Sequence, residues 1–74
     1  MGLGRRIRYW RKDASLTQET LAGLCGVQRT AVSLWESDDR NPGADDLQKI
    51  ADACGISMEV FFGALRPLRR KAAS

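Results

Sequence analysis

The chain has 74 residues, 43% of them hydrophobic and 28% charged, and carries a net charge of +3 with a pI near 9.3. That composition fits one domain with a small core and excludes a wholly disordered chain. No apolar run approaches the roughly 18 residues that a membrane span needs.

There are two cysteines, Cys25 and Cys54, and no histidine. A His/Cys zinc site and histidine-assisted nucleophilic catalysis are therefore excluded. Each cysteine stands just before a glycine, where a helix is ending, and both are expected to be small core residues with reduced thiols. The opening "MGLGRRIRYW" has no apolar h-region and is not read as a signal peptide. Gly2 fits a myristoylation site, but Arg6 stands where Ser or Thr is required.

A high pI suggests a nucleic-acid partner. The basicity, however, is at the two ends. Residues 1–12 carry Arg5, Arg6, Arg8, Arg11 and Lys12 and no acid. Residues 66–74 add Arg66, Arg69, Arg70 and Lys71. The span between holds all nine acids against Arg29, Arg40 and Lys49.

No run alternates with period two and no hairpin turn signal occurs, so the fold class is all-α. Five short helices are expected. The first covers residues 3–13, where Leu3, Ile7 and Trp10 make one apolar stripe. The second starts from Thr17 as N-cap, with Glu19 in its first turn. Leu21, Leu24 and Cys25 are its expected buried side, and Gly26 ends it. Gly23 at mid-helix costs roughly 0.5–1 kcal/mol relative to alanine. The third covers residues 28–36. Val27, Ala31, Val32 and Trp35 face the core, while Gln28, Arg29, Thr30, Ser33 and Leu34 lie on or near the other side. The loop "SDDRNPG" follows. The fourth starts near Ala44, with Asp45 and Asp46 at its positive end, and repeats Leu47, Ile50, Ala51 and Cys54 before Gly55. The fifth starts from Ser57 and carries Met58, Val60, Phe61 and Phe62. Pro67 closes the ordered region. The expected organisation is a domain over residues 1–65 and a flexible basic tail over 66–74.

Residues 17–36 form a unit. Two short helices are joined through Gly26, and the second has an apolar inner side and a hydrogen-bonding outer side. That is the layout of a helix-turn-helix. The major groove admits a helix and presents donors and acceptors on its base edges. Arg29 suits guanine O6 and N7, and Gln28 suits adenine N6 and N7. The methyl of Thr30 suits a thymine methyl, and Ser33 lies one turn further along. Leu34 either contacts thymine methyls or packs against a neighbour. Taken singly, each polar residue also fits a solvated surface position; the spacing of the whole unit favours readout.

The stretch "LTQETLAGLCGVQRTAVSLWESDDRNPGADDLQKIADACGISMEVFFG" resembles the Cro/C1-type (XRE) helix-turn-helix family of phage repressors, Cro proteins and restriction-modification controllers. The marks, in order, are "LTQ", "LA…CGV", "VSLWE", "NP", "LQKIADACGIS" and "VFFG", and the resemblance covers residues 5–63. It implies a compact five-helix lambda-repressor-like DNA-binding domain, working as a dimer on a palindromic operator. Its base-contacting positions fall on Gln28, Arg29, Thr30, Ser33 and Leu34. Its phosphate-contacting positions fall on Gln18, beside Thr17 at a helix N-terminus, and on Ser37 and Arg40. Arg11 and Glu36 match a pair that forms an internal salt bridge in relatives.

Two departures stand out. Gln28 is a poorer N-cap than the Ser or Thr usual in relatives. Asp38 and Asp39 stand where relatives tend to be basic, which is unfavourable beside phosphates. The run Val60, Phe61, Phe62 cannot all face one core, so Val60, Phe62 and Leu65 are expected at a two-fold interface, against the alternative of an apolar C-terminal cap.

The expected function is sequence-specific double-stranded DNA binding by a cytoplasmic homodimer, a repressor or Cro-like transcriptional regulator. It needs no cofactor, metal or membrane, and no nucleophile–base pair points to an enzyme. The other reading is an antitoxin or co-regulator module acting mainly through a protein partner, which the acidic middle and Asp38/Asp39 favour.

Overall fold

Five α-helices follow one another through short connections: α1 (Leu3–Asp13), α2 (Gln18–Cys25), α3 (Arg29–Glu36), α4 (Ala44–Cys54) and α5 (Met58–Phe61). They are taken from a computed structural model that describes residues 2–64, and no strand occurs among these. Leu65, Pro67 and the 66–74 tail lie outside the described residues.

Local chemistry sets the helix ends. The Thr17 hydroxyl accepts from the Thr20 amide at 3.0 Å, and the Ser57 hydroxyl accepts from the Val60 amide at 3.1 Å. Each satisfies a donor that a first turn leaves without an intrahelical acceptor. Gly26 and Gly55 close α2 and α4 at φ 73° and 74°, where a side chain would be strained. Asp46 accepts from the Gly43 amide at 3.4 Å, at the positive end of α4.

The core is one cluster. Ile7 and Trp10 from α1, Leu21, Ala22 and Cys25 from α2, Val32 and Trp35 from α3, Ile50 from α4 and Phe61 from α5 are all buried. Leu3, Leu16, Val27, Ala31, Leu47 and Cys54 pack partly buried against it. Helix α2 packs on both α3 and α4, and α1 closes over α3. No polar residue is fully buried among the described residues.

One expectation is corrected. Leu24 is 59% exposed, and Ala22 takes its place in the core. The buried stripe of α2 is Leu21, Ala22 and Cys25, at i, i+1 and i+4. Leu24, at i+3, falls outside its edge.

Both thiols are free, with Cys25 buried and Cys54 partly so. Burial pushes both above the ordinary thiol range, Cys54 to about 11, with Cys25 and Asp13 as lesser causes for Cys54. Neither is poised as a nucleophile.

Helix α1 meets the end of α3 at Gly4. A Cβ there would stand 2.5 Å from the Trp35 carbonyl oxygen and closer still to that of Glu36. Both obstacles are backbone, so neither swings aside. At Gly23, by contrast, an added Cβ would meet nothing within 4 Å. Gly4→Ala is expected to destabilise the fold by about 1–3 kcal/mol through overpacking, and Gly23→Ala to stabilise it by about 0.5–1 kcal/mol. Urea unfolding midpoints check both. Equal shifts in the same direction would refute the close approach at Gly4.

Candidate nucleic-acid interface

The turn between α2 and α3 is made by Gly26, Val27 and Gln28. The Gly26 amide donates to the Gly23 carbonyl at 3.2 Å and the Val27 amide to the Ala22 carbonyl at 2.9 Å. Val27 then packs on the core, which fixes where α3 begins. Gln28 is the N-cap of α3, extended, and its side chain makes no cap bond. It is left exposed to solvent, as are Arg29 and Thr30. Ser33 and Leu34 are half-buried further along. Val32 and Trp35 hold the opposite side of the helix in the core. The N-cap and first turn of α3 therefore present three polar side chains on a helix backed by the core.

Behind that surface lies a polar cluster centred on Glu36. Arg11 Nε donates to Glu36 Oε2 at 2.6 Å, and its Nη2 donates to Oε1 at 3.1 Å. Arg11 Nη1 also donates to the Leu16 carbonyl at 2.9 Å. The two side chains are only 11% and 6% exposed. Gln18 joins them: its Nε2 donates to Glu36 Oε1 at 3.1 Å. Its own Oε1 accepts from Arg29 Nη1 at 3.4 Å. A continuous line of contacts thus runs from α1 through α3 and α2 to the exposed guanidinium of Arg29.

Thr17, Gln18, Ser37 and Arg40 are placed unequally. The Thr17 hydroxyl is engaged with Thr20, accepting from its amide and donating to its hydroxyl at 2.9 Å. Gln18 turns its amide nitrogen inward to Glu36. The amides of Gln18 and Glu19, in the first turn of α2, have no intrahelical acceptor. Ser37 directs its hydroxyl to Asp39 at 2.7 Å and to the Leu34 carbonyl at 3.1 Å. Arg40 is exposed.

Asp38 has a role that sequence reasoning missed. It sits in the left-handed region at φ 66°, and its Oδ1 accepts from the Gly4 amide at 2.9 Å. Its carboxylate therefore lies on the positive end of α1, where negative charge is favourable. Asp39 is held by Ser37. The one available signal is that Asp tolerates a left-handed conformation better than most side chains; its partner lies 34 residues away along the chain.

A second missed tie is at α5. Arg6 Nη1 donates to the carbonyls of Phe61 and Gly63, at 3.0 and 2.5 Å, and Trp10 Nε1 donates to that of Phe61 at 3.2 Å. These bonds occupy the end of α5 and fix it on α1. Phe61 is buried, while Val60 and Phe62 are 45% and 49% exposed.

Among the described residues, no group of His, Cys, Asp or Glu is arranged to hold a metal ion, and no helix is long and apolar enough to cross a membrane.

Comparison with known proteins gives a consistent answer. A helix-turn-helix family model matches residues 7–61. The chain is 35% identical over 63 residues to the immunity repressor protein of Bacillus phage phi105, covering 85% of this chain. It spans less than half of that repressor, 44% of its length. Among solved structures, the P22 c2 repressor protein in complex with a synthetic operator superposes with a TM-score of 0.74 at 30% identity, over 82% of this chain and 92% of that one. The restriction-modification controller protein C.AhdI from Aeromonas hydrophila does so with a TM-score of 0.76 at 37% identity, over 81% and 91%. With the five-helix order, the Gly26 turn and the outward polar side of α3, this chain belongs to the Cro/C1-type helix-turn-helix family.

Proposed function

We propose that this chain is a sequence-specific double-stranded DNA-binding transcriptional regulator, a repressor or Cro-like protein that acts in the cytoplasm as a homodimer. The observation that carries this reading is the first turn of α3, with Gln28, Arg29 and Thr30 exposed together on a helix whose other side is locked in the core. The P22 c2 repressor, similar in fold and sequence, is bound to a synthetic operator in its solved structure. Placed in the major groove, Arg29 reads guanine, Gln28 reads adenine, and Thr30, Ser33 and Leu34 complete the contact. Arg40 and the amides at the N-terminus of α2 meet phosphates and fix the register. Gln18 serves the same end from inside, by holding Arg29 in place. Thr17 and Ser37 contribute less to phosphate binding, because their hydroxyls are already engaged.

The alternative of a protein-interaction module draws its support from the acidic middle of the chain and from Asp38 and Asp39 as acids beside DNA. Both carboxylates are engaged, at the α1 N-terminus and with Ser37, which weakens that support.

Titration against duplexes selected from a random pool, at stated salt, tests the proposal. The selected duplex is expected to bind at least about tenfold tighter than random sequence, a difference of ~1.4 kcal/mol. Arg29→Ala is expected to cost about 1–3 kcal/mol on that duplex and to relax one base position. A uniform loss on every sequence would assign Arg29 to phosphate instead. No preference over random sequence would defeat the reading as a whole.

The homodimer is proposed through Val60 and Phe62, whose exposure on a helix pinned at its end by Arg6 and Trp10 offers an ordered apolar patch. Leu65, expected at the same interface, lies outside the described residues. Sedimentation equilibrium at increasing concentration is expected to detect dimers of the unaltered chain and monomers of Phe62→Asp, with helical circular dichroism unchanged. Identical masses for both would remove Phe62 from the interface.

A further inference from the structure

The basic residues of α1 divide into two sets. Arg6 is committed to the Phe61 and Gly63 carbonyls, and Arg11 to Glu36 and the Leu16 carbonyl. Arg5, Arg8 and Lys12 are exposed, and among the described residues none of these three side chains has a hydrogen bond or an ion pair. They stand at i, i+3 and i+7, the spacing that lines one face of a helix. No acid interrupts that face, because residues 1–12 contain none. The arrangement works against the helix itself. Arg8 and Lys12 are like charges four residues apart, and Arg5 lies in the first turn, where a cation opposes the helix dipole. An anionic partner along the stripe would remove both penalties.

Two neighbours on the helix place the stripe. Arg8 is four residues after Gly4 and three before Arg11, so it stands one turn from each. Gly4 meets the last carbonyls of α3 and donates to Asp38, while Arg11 reaches Glu36 and the carbonyl of Leu16, next to Thr17. The stripe therefore runs beside a line from the loop that carries Arg40 to the N-terminus of α2, the two places proposed above to meet phosphates. The other flank of α1, at Arg6 and Trp10, is tied to α5. Because α5 carries the proposed dimer contact, the stripe is turned away from the two-fold axis, toward DNA outside the palindrome. The apolar side of α1 is buried through Ile7 and Trp10, which leaves none to insert into a membrane. Guanidinium groups suit phosphate geometry, and the stripe rises about 10 Å, close to the rise of about three base pairs. We propose that Arg5, Arg8 and Lys12 bind the phosphate backbone of the duplex flanking the palindrome, extending the interface without reading any base. The proposal rests on α3 lying in the major groove, as argued above, and gives a ligand to the basic N-terminal run that the readout by α3 does not use.

The first test uses the unaltered chain and duplexes of two lengths. A selected palindrome is either cut at its ends or extended by about six base pairs on each side. At low salt the extension is expected to tighten binding about tenfold, equally for unrelated flanking sequences. Methylphosphonate linkages in the flanks, which remove the charge and keep the bases, are expected to abolish the gain. The variant Arg5→Gln/Arg8→Gln/Lys12→Gln, checked for unchanged helical circular dichroism, is expected to lose the same gain. On the extended duplex its slope of log affinity against log salt is expected to flatten by about 2–3 per protomer. Its preference for the palindrome over random sequence is expected to persist on short duplexes. No gain from the flanks on a palindrome still preferred over random sequence, or a gain that survives in the variant, would overturn the stripe and leave the reading of α3 intact. A gain confined to particular flanking sequences would overturn the assignment to phosphate. Failure to select any preferred duplex would overturn both the stripe and the reading of α3.

Discussion

The carboxylate of Glu36 is the point on which the geometry of the proposed DNA-facing surface depends. It sits in the last turn of α3 and accepts from Arg11 of α1 and Gln18 of α2. A nearly buried ion pair is weak evidence for stability by itself, because removing both charges from water offsets much of their attraction. Here the balance is favourable in one respect. Both oxygens of Glu36 are bonded, and the third direction of the Arg11 guanidinium is taken up by the Leu16 carbonyl. With these groups satisfied, the cluster fixes three helices in one arrangement. Losing one partner would strand a buried charge at a cost of about 3–5 kcal/mol. The same carboxylate also orients Gln18, whose carbonyl oxygen faces Arg29. Stability and the proposed readout are thus joined at one residue.

Around this cluster the charges are arranged more selectively than the sequence suggests. Asp38 is committed to the amide end of α1, next to the point where Gly4 lets α1 touch the last carbonyls of α3. Asp38 therefore reinforces the α1–α3 junction. Arg6 and Trp10 act in the same way at the other end, holding α5 by its carbonyls. Helix α1, which reads as a basic amphipathic helix, acts as a brace for α3 and α5. Arg5, Arg8 and Lys12 remain exposed on it.

Much of the fold is legible in the sequence because its signals are local. Thr17 and Ser57 as caps, Gly26 and Gly55 as left-handed stops, and the apolar spacing of α1 and α4 each depend on residues within one or two turns. Leu24 misleads because a leucine at i+3 from a core residue reads as core; only the packing of α2 between α3 and α4 decides that the stripe runs through Ala22. The candidate site is legible in part. The exposure of Gln28, Arg29 and Thr30 follows from helix periodicity once Val32 and Trp35 are set inward. The inward turn of Gln18 and the use of Asp38 as a distant cap are not legible, since each arises between segments apart in sequence. The pairing of Arg11 with Glu36 enters only through resemblance to a family, for the same reason.

The central claim is that α3 enters the major groove with its first turn against the base edges. Dimethyl sulfate tests this directly on a selected duplex, because it methylates guanine at N7 in the major groove and adenine at N3 in the minor groove. With protein bound, guanine N7 is expected to be protected in two patches about 34 Å apart, while adenine N3 reacts as in free DNA. Protection at adenine N3 with guanine N7 unaffected would contradict the account.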